Sequence, residues 1–407
     1  VTDTTPPIVL NQPRSRWWAW VGAALGLGIL VVIAVASIVP ADLFAETENR
    51  RTGELEPAPY ARVPASAESV NNRVEYGDLP DDVVIHDTAS DFYFVTVSAP
   101  EQSVLSWMIG SDEPTVDLLT EEDKNGRRTA TQTREISLQQ MRTATQEAQF
   151  VALQAAGYEP EITLGEVVIQ DMLCKETADD GSCAEFFPSD EQLDPADTIL
   201  EANDMPLGSV EDLTAALTDL EPGDTVDLLI RRPGDGEQRV TVELSASPDE
   251  PERTIIGFIP FDTRMVELPF DVGIDTGRIG GPSAGLAFTL SLIDELTDGE
   301  LTGGQTVAVT GTINLDGSVG AIGGLEQKVN SVYQHGVRVF LVPASQIELT
   351  ELSPDDRENG VCRWECLLDA GGGEVVIIPV ATLDEALAAL ETIGGDPLVP
   401  VNEVESA

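Results

Sequence analysis

Few residues in this chain could do covalent chemistry. It has two histidines, His86 and His335, and three lysines, Lys124, Lys175 and Lys328. A histidine-based metal site or a Ser-His-Asp triad therefore has little material to be built from. The most informative stretch is residues 277–290, GRIGGPSAGLAFTL. Its glycines permit close backbone approach, and Pro282 suits the entry of a helix. Ser283 at such an entry stands among N–H groups that lack intrahelical partners, at the positive end of the helix dipole. An oxyanion needs such donors, so Ser283 is a candidate nucleophile, although an ordinary N-cap serine would occupy the same place. A phosphate cradle is another use of clustered glycines, but neither G-x-x-x-x-G-K-[ST] nor G-x-G-x-x-G occurs in the chain.

A nucleophilic serine needs a base. His335 ends a helical pattern just before Gly336, a place that suits a partner for the helix dipole. His86 lies in a region without a clear pattern. Lys124, in EEDKNGRR, and Lys175, in CKETADDG, read as exposed. Lys328 differs. In LEQKVNSVYQH it falls three residues after Leu325 and four before Val332, on the apolar stripe with Val329 and Tyr333. Burial there would draw its pKa from ~10.4 toward ~7–8 and make it a usable base. The alternative is a lysine that snorkels along a helix edge. The other Ser-Lys plan, S-x-x-K, is absent, since no lysine has a serine three residues before it.

The elements that would carry these residues are legible in outline. Helical patterns cover Ser283–Leu296, Leu325–His335 and Leu383–Leu390, and strand-like runs cover Thr254–Ile259, Thr306–Ile313, Arg338–Val342 and Val375–Val380. Thr310 is expected on the polar-facing side of its strand, opposite Val307 and Val309. Together these make a mixed unit at 252–395, followed by a tail at 396–407. A second unit, 159–246, has strands at Val167–Ile169, Thr198–Glu201, Thr225–Arg231 and Arg239–Leu244 around a helix that Ser209 caps. Earlier, a helix is expected over Ser137–Ala156, with Ser137 and Gln140 as a capping box and Gly157 as its stop. Residues 41–80 read as a linker, 83–110 hold short strand-like runs such as Phe92–Val97, and 41–158 otherwise reads as a poorly defined N-terminal region.

Residues 17–40, WWAWVGAALGLGILVVIAVASIVP, carry no charge. Their length predicts a transmembrane helix across ~30 Å of hydrocarbon, in preference to a cleaved signal peptide. Arg14 and Arg16 then place residues 1–16 in the cytoplasm as a short tail. The expected localisation is a single-pass protein of the cell membrane with its body outside. The four cysteines would there form disulfides; residue order allows three connectivities, and the local pairs Cys174–Cys183 and Cys362–Cys366 are preferred because each lies within one short polar loop, while neither spacing makes a good zinc knuckle. With 72 acidic and 22 basic residues the net charge is −50. That balance argues against nucleic acid as a partner, because the phosphate backbone demands basic patches.

Two resemblances add to this reading. PADTILEANDMPLGSVEDLTAAL and EPGDTVDLLIRRPGDGEQRVTVEL resemble a PDZ domain, except that Ala196 stands where a glycine usually precedes the aspartate. GPSAG at 281–285, VAVTGTINLDGSVGAIGGLEQKV at 307–329, FLVP at 340–343 and VVIIPVATLDEAL resemble the proteolytic domain of Lon-type serine peptidases. The overall plan is similar to bacterial membrane-anchored PDZ–Lon-like proteases. The resemblance implies a Ser-Lys dyad, with Ser283 as nucleophile, Lys328 as general base and Thr310 orienting the lysine. It implies an α+β fold: a transmembrane helix, a PDZ-like β-rich domain and a Lon-type domain. It further implies an endopeptidase that acts without ATP or any cofactor on unfolded, damaged or tail-exposed proteins. A homo-oligomer is expected, since Lon-type domains commonly form hexamers. ATP-dependent Lon has Asp where Gly280 stands and Glu where Thr312 stands. The rival reading is a membrane-anchored PDZ scaffold with a silent Lon-like domain.

Overall fold

A computed structural model describes residues 17–49, 53–126, 128–178, 183–248, 250, 253–347 and 364–404. The expected cytoplasmic tail, 1–16, and Cys362 lie outside the described residues. In chain order the elements used below are α1 (Trp17–Ala36), β1 (Tyr60–Ser69), β2 (Phe92–Ser98), β3 (Asp117–Leu119), α2 (Ala130–Ala156), β4 (Glu161–Met172), β5 (Thr198–Ala202), α3 (Val210–Leu217), β6 (Thr225–Arg232), β7 (Gly236–Glu243) and β8 (Phe258–Glu267). They continue with α4 (Gly285–Leu296), β9 (Val307–Val309), α5 (Leu325–Gln334), β10 (Val339–Pro343), α6 (Trp364–Ala370), β11 (Val376–Val380) and α7 (Leu383–Thr392).

One sheet runs β11-β10-β9-β2-β1-β3. Its four central pairings are instructive: β2, β9, β10 and β11 are mutually parallel, while β1 is antiparallel to β2. The residues of β9 and β10 are buried on both faces, as a parallel sheet covered by helices requires. On one face α2 and α4 join the sheet in a core that includes Met141, Ala152, Phe288, Phe94 and Val309. Phe94 and Phe288 meet edge to face at 5.9 Å, an arrangement favoured by the ring quadrupoles. On the other face α5 and α6 pack Val329, Val332 and Leu367 against Phe340 and Val342. The expected α+β class thus gives way to a mixed α/β architecture with helices on both sides of the sheet.

The N-terminal region supplies β1, β2, β3 and α2 to that same sheet and core; of these the strand-like run at Phe92–Val97 and the helix over Ser137–Ala156 were expected, and β1 and β3 were not. The parallel partner of β2 lies about 200 residues away in β9, and no local pattern reveals that pairing. The helix α2 also begins earlier than expected. Thr129 is its N-cap, in a capping box with Gln132, and Gly157 ends it in the left-handed conformation at φ 97°.

The second sheet runs β7-β6-β5-β4-β8, with α3 beside it. Alternation along β6 sends Val226, Leu228 and Ile230 inward onto Val167, Ile169, Ile199 and Leu213. Ser209 caps α3, accepting from the Asp212 N–H, and Asp262 on β8 accepts from the Val210 N–H at 2.6 Å. Ala196 does adopt a left-handed backbone, φ 74°, where a glycine would be unstrained. The strand β8 lies beyond residue 246 yet pairs along β4, from Phe258 opposite Met172 to Glu267 opposite Glu161. Gly165 has no room for a side chain there: a Cβ would come within 1.9 Å of the Thr263 carbonyl oxygen. Val266 N–H donates to Gln146 on α2 at 2.7 Å, which ties this sheet to the first unit. A disulfide joins Cys174 to Cys183. Cys366 is also disulfide-bonded.

The N-terminal expectation requires correction. Among the described residues no helix is long and apolar enough to cross a membrane. The helix α1 stops at Ala36, and Pro40 at the end of the expected span instead forms a β-bridge with Ser103. Three of the first four residues of α1 are tryptophans. The aliphatic remainder from Val21 covers about 24 Å at ~1.5 Å per residue, short of ~30 Å of hydrocarbon. The transmembrane helix at 17–40 and the single-pass membrane localisation are therefore not supported.

One buried carboxyl marks the far end of α4. Asp294 is 1% exposed, accepts from the Leu301 N–H at 2.7 Å, and leaves Oδ2 with no partner. Burial pushes its pKa up to about 7, with Glu300, Glu295 and Asp91 adding repulsion. A carboxyl whose folded pKa lies above its unfolded value favours the fold most below ~4, and that contribution is lost as pH rises through about 7. Asp294→Asn should therefore be more stable than the parent at pH 8, by roughly 1–3 kcal/mol, with the gain gone by pH ~4. Urea unfolding of both proteins from pH 4 to 8 measures this. A gain that does not change with pH would show that Asp294 is not the group titrating.

Candidate functional site

Ser283 stands in the turn just before α4, whose first helical residue is Gly285 and whose N-cap is Ala284. The turn is held from two sides. On one, the Gly281 N–H donates to the Ser137 carbonyl of α2 at 2.7 Å. A Cβ on Gly280 would lie 2.8 Å from Ser137 Cβ, so α2 occupies the space that a side chain at 280 would need. On the other, the Ser283 carbonyl accepts from the Gly311 N–H at 3.0 Å and from the Thr310 hydroxyl at 3.1 Å. Gly285 lets α4 approach the following strand: a Cβ there would be 3.0 Å from Ile313 Cγ2. Neither the Ser283 nor the Ala284 N–H meets a backbone acceptor among the described residues.

Lys328 comes to this serine from α5. It is 2% exposed, among the largest fully buried side chains of the protein. The apolar stripe of α5 explains this: Leu325, Val329 and Val332 are buried, and Lys328 shares their side. Its Nζ lies 2.7 Å from Ser283 Oγ and 2.9 Å from Thr310 Oγ1. Burial alone lowers the amine to about 7. Among the described residues no carboxylate contributes to holding the proton on. Near neutral pH the amine is therefore often uncharged. In that form the Ser283 O–H can donate to the Nζ lone pair, whereas the ammonium donates to Ser283 Oγ.

Thr310 sits at the end of β9 and is wholly buried. Both faces of this parallel sheet are covered, yet the Thr310 hydroxyl meets polar groups there. Its hydroxyl proton goes to the Ser283 carbonyl, so its oxygen is left to accept from Lys328 Nζ. That arrangement directs the amine, one hydrogen at Thr310 and its lone pair toward Ser283.

The three residues singled out from sequence thus meet in one place. Ser283 and Lys328 open onto a cleft of about 660 Å³, lined also by Phe94, Met141, Arg134 and Arg278. Neither histidine lines it. His335 Nδ1 lies 2.8 Å from the Ser331 carbonyl at the end of α5, and His86 lies 3.9 Å from Asp298. Lys175 is paired with Glu185. Lys124, expected to be exposed, is half-buried with its ammonium over the Tyr60 ring at 3.5 Å. Met141 was expected on the packing face of a helix and Phe94 within a strand-like run, but neither was read as part of a site; Arg134 precedes the helix start expected at Ser137 and was not singled out. Arg278 stands within the glycine-rich stretch and could have been noticed there.

Comparison with known proteins points to the same region. Residues 272–361 match the Lon protease (S16) C-terminal proteolytic domain. The Lon protease of Ureaplasma parvum is 34% identical over 120 residues, covering 26% of this chain and 15% of that protein. That of Roseiflexus castenholzii is 32% identical over 138 residues, covering 31% and 17%. For Neorickettsia sennetsu the figures are 30% over 167 residues, 38% and 18%. The matches therefore span less than a fifth of the length of these curated relatives. Among solved structures, the PDZ domain of an SdrC-like protein from Listeria monocytogenes is 18% identical and covers 25% of this chain and 92% of that one, with a TM-score of 0.20. Its counterpart from Listeria innocua covers 22% and 92%, with a TM-score of 0.17. The Lon-type matches support a peptidase.

Proposed function

We propose that this protein is a serine endopeptidase that works without ATP, with Ser283 as nucleophile, Lys328 as general base and Thr310 as the positioning residue for the lysine. The observation that carries the reading is a fully buried amine 2.7 Å from a serine hydroxyl, with no carboxylate beside it among the described residues. Neutral Lys328 takes the Ser283 proton as Oγ attacks the peptide carbonyl. The unpaired N–H groups at Ser283 and Ala284, at the start of α4, are placed to receive the negative charge on the carbonyl oxygen. The Lys328 ammonium then protonates the leaving amine, and the C–N bond breaks. Water repeats the sequence on the ester and releases the acid and free Ser283.

Without powered unfolding, the substrates are loose chains, damaged proteins and exposed tails. The sheet β7-β6-β5-β4-β8 with α3 is read as a PDZ-like module set between the α2 and α4 parts of the peptidase unit, in place of separate domains in series. A ring of copies, as Lon-type domains form, is the proposed assembly.

A serine-directed fluorophosphonate probe should label the protein on Ser283, as found by peptide mapping, and should not label Ser283→Ala. Absence of labelling in the folded parent protein would remove the peptidase reading and leave a binding module.

A further inference from the structure

Among the described residues twenty line the cleft at Ser283, and none of these is acidic, in a chain where 72 of 407 residues are Asp or Glu. Three are cationic. Lys328 lies at the base, Arg134 stands near the start of α2, and Arg278 stands on the loop that leads to Ser283. The two arginines are exposed. Elsewhere, Arg62, Arg73, Arg231, Arg232 and Arg239 each hold a carboxylate. Arg134 and Arg278 have no ion-pair or hydrogen-bond partner among the described residues. Two free guanidinium groups, in a protein with such an excess of carboxylates, face the place where a peptide must lie.

The rest of the lining is largely apolar, with Phe94, Val97, Met141, Ile279 and Ile322. A guanidinium binds carboxylate as a planar two-pronged donor, more strongly than it binds a neutral group. We propose that Arg134 and Arg278 select extended peptide segments that carry Asp or Glu close to the scissile bond within an otherwise apolar sequence. This rests on the peptidase reading above and adds the substrate class to it. The net charge of the protein repels anionic peptides at a distance, but at physiological salt that repulsion fades beyond ~8 Å. Direct contacts in the cleft survive it, so only segments that seat against the two arginines gain.

The test uses three quenched fluorogenic peptides of one apolar sequence, with Glu, Gln or Lys at the positions flanking the scissile bond, at ~0.15 M salt. The Glu peptide should be cleaved with kcat/KM about tenfold above Gln and further above Lys, the difference lying in KM. Arg134→Gln with Arg278→Gln should raise KM for the Glu peptide, and Arg134→Glu with Arg278→Glu should reverse the order in favour of Lys. Equal rates for all three peptides, or an order unchanged by charge reversal in a folded variant, would overturn the proposal while Ser283 still labels. If the parent protein neither labels nor cleaves any peptide, the peptidase reading fails and takes this inference with it.

Discussion

Peptide hydrolysis should rise about tenfold per pH unit up to an apparent pKa near 7 and then level off, because the base must be neutral to accept the serine proton. An unperturbed lysine, at ~10.4, would put that rise three pH units higher. Lys328→Ala and Ser283→Ala should each lower kcat by about 10³–10⁶-fold, since either loss removes the proton transfer or the nucleophile outright. Lys328→Arg should not recover activity, because a guanidinium stays protonated. Thr310→Val should retain partial activity with its pH profile displaced, since Thr310 touches the lysine and the Ser283 carbonyl but no reacting bond. His335→Ala should hydrolyse like the parent. Ready cleavage by a folded Lys328→Ala protein would end the dyad mechanism, and a requirement for His335 would name another base.

Lys328→Met should make the protein more stable while making it inactive. The amine is lowered from 10.5 to about 7 by burial. A base whose folded pKa is depressed costs stability most at pH values below the folded pKa, where the native state must hold a buried charge. The cost shrinks between about 7 and 10.5 and is absent above that range. Its ceiling is roughly 4–5 kcal/mol, reduced by the hydrogen bonds that methionine cannot make to Ser283 and Thr310. The expected net gain is about 2–3 kcal/mol at pH 6, falling toward zero or below by pH 10. Urea midpoints of the two proteins across that range decide it. A methionine variant that is less stable at pH 6 would show that the amine is not held in an apolar site.

Part of this protein was legible from residue order alone. Ser283 was found from a local rule, glycines and a proline at a helix entry, and Lys328 from its place on an apolar stripe. The caps at Ser209 and Gly157 are likewise local, for each depends on a few neighbouring backbone groups. What those rules could not supply is distance. Ser283 and Lys328 are 45 residues apart, and whether their side chains meet depends on β9 and on how α4 and α5 pack against opposite faces of one sheet. The same limit hid where β2 and α2 belong: both were legible as a strand-like run and a helix, but their partners in β9 and α4 lie far along the chain. Parallel pairing leaves no hairpin signal between partners and joins strands across long connections. It also hid the end of α1, where the bridge from Pro40 to Ser103 breaks an apolar run that residue order shows as continuous. Residue order therefore determined which side chains could react. The tertiary structure decided that they meet, that the lysine is buried to its tip, and that two arginines from distant segments stand over the cleft.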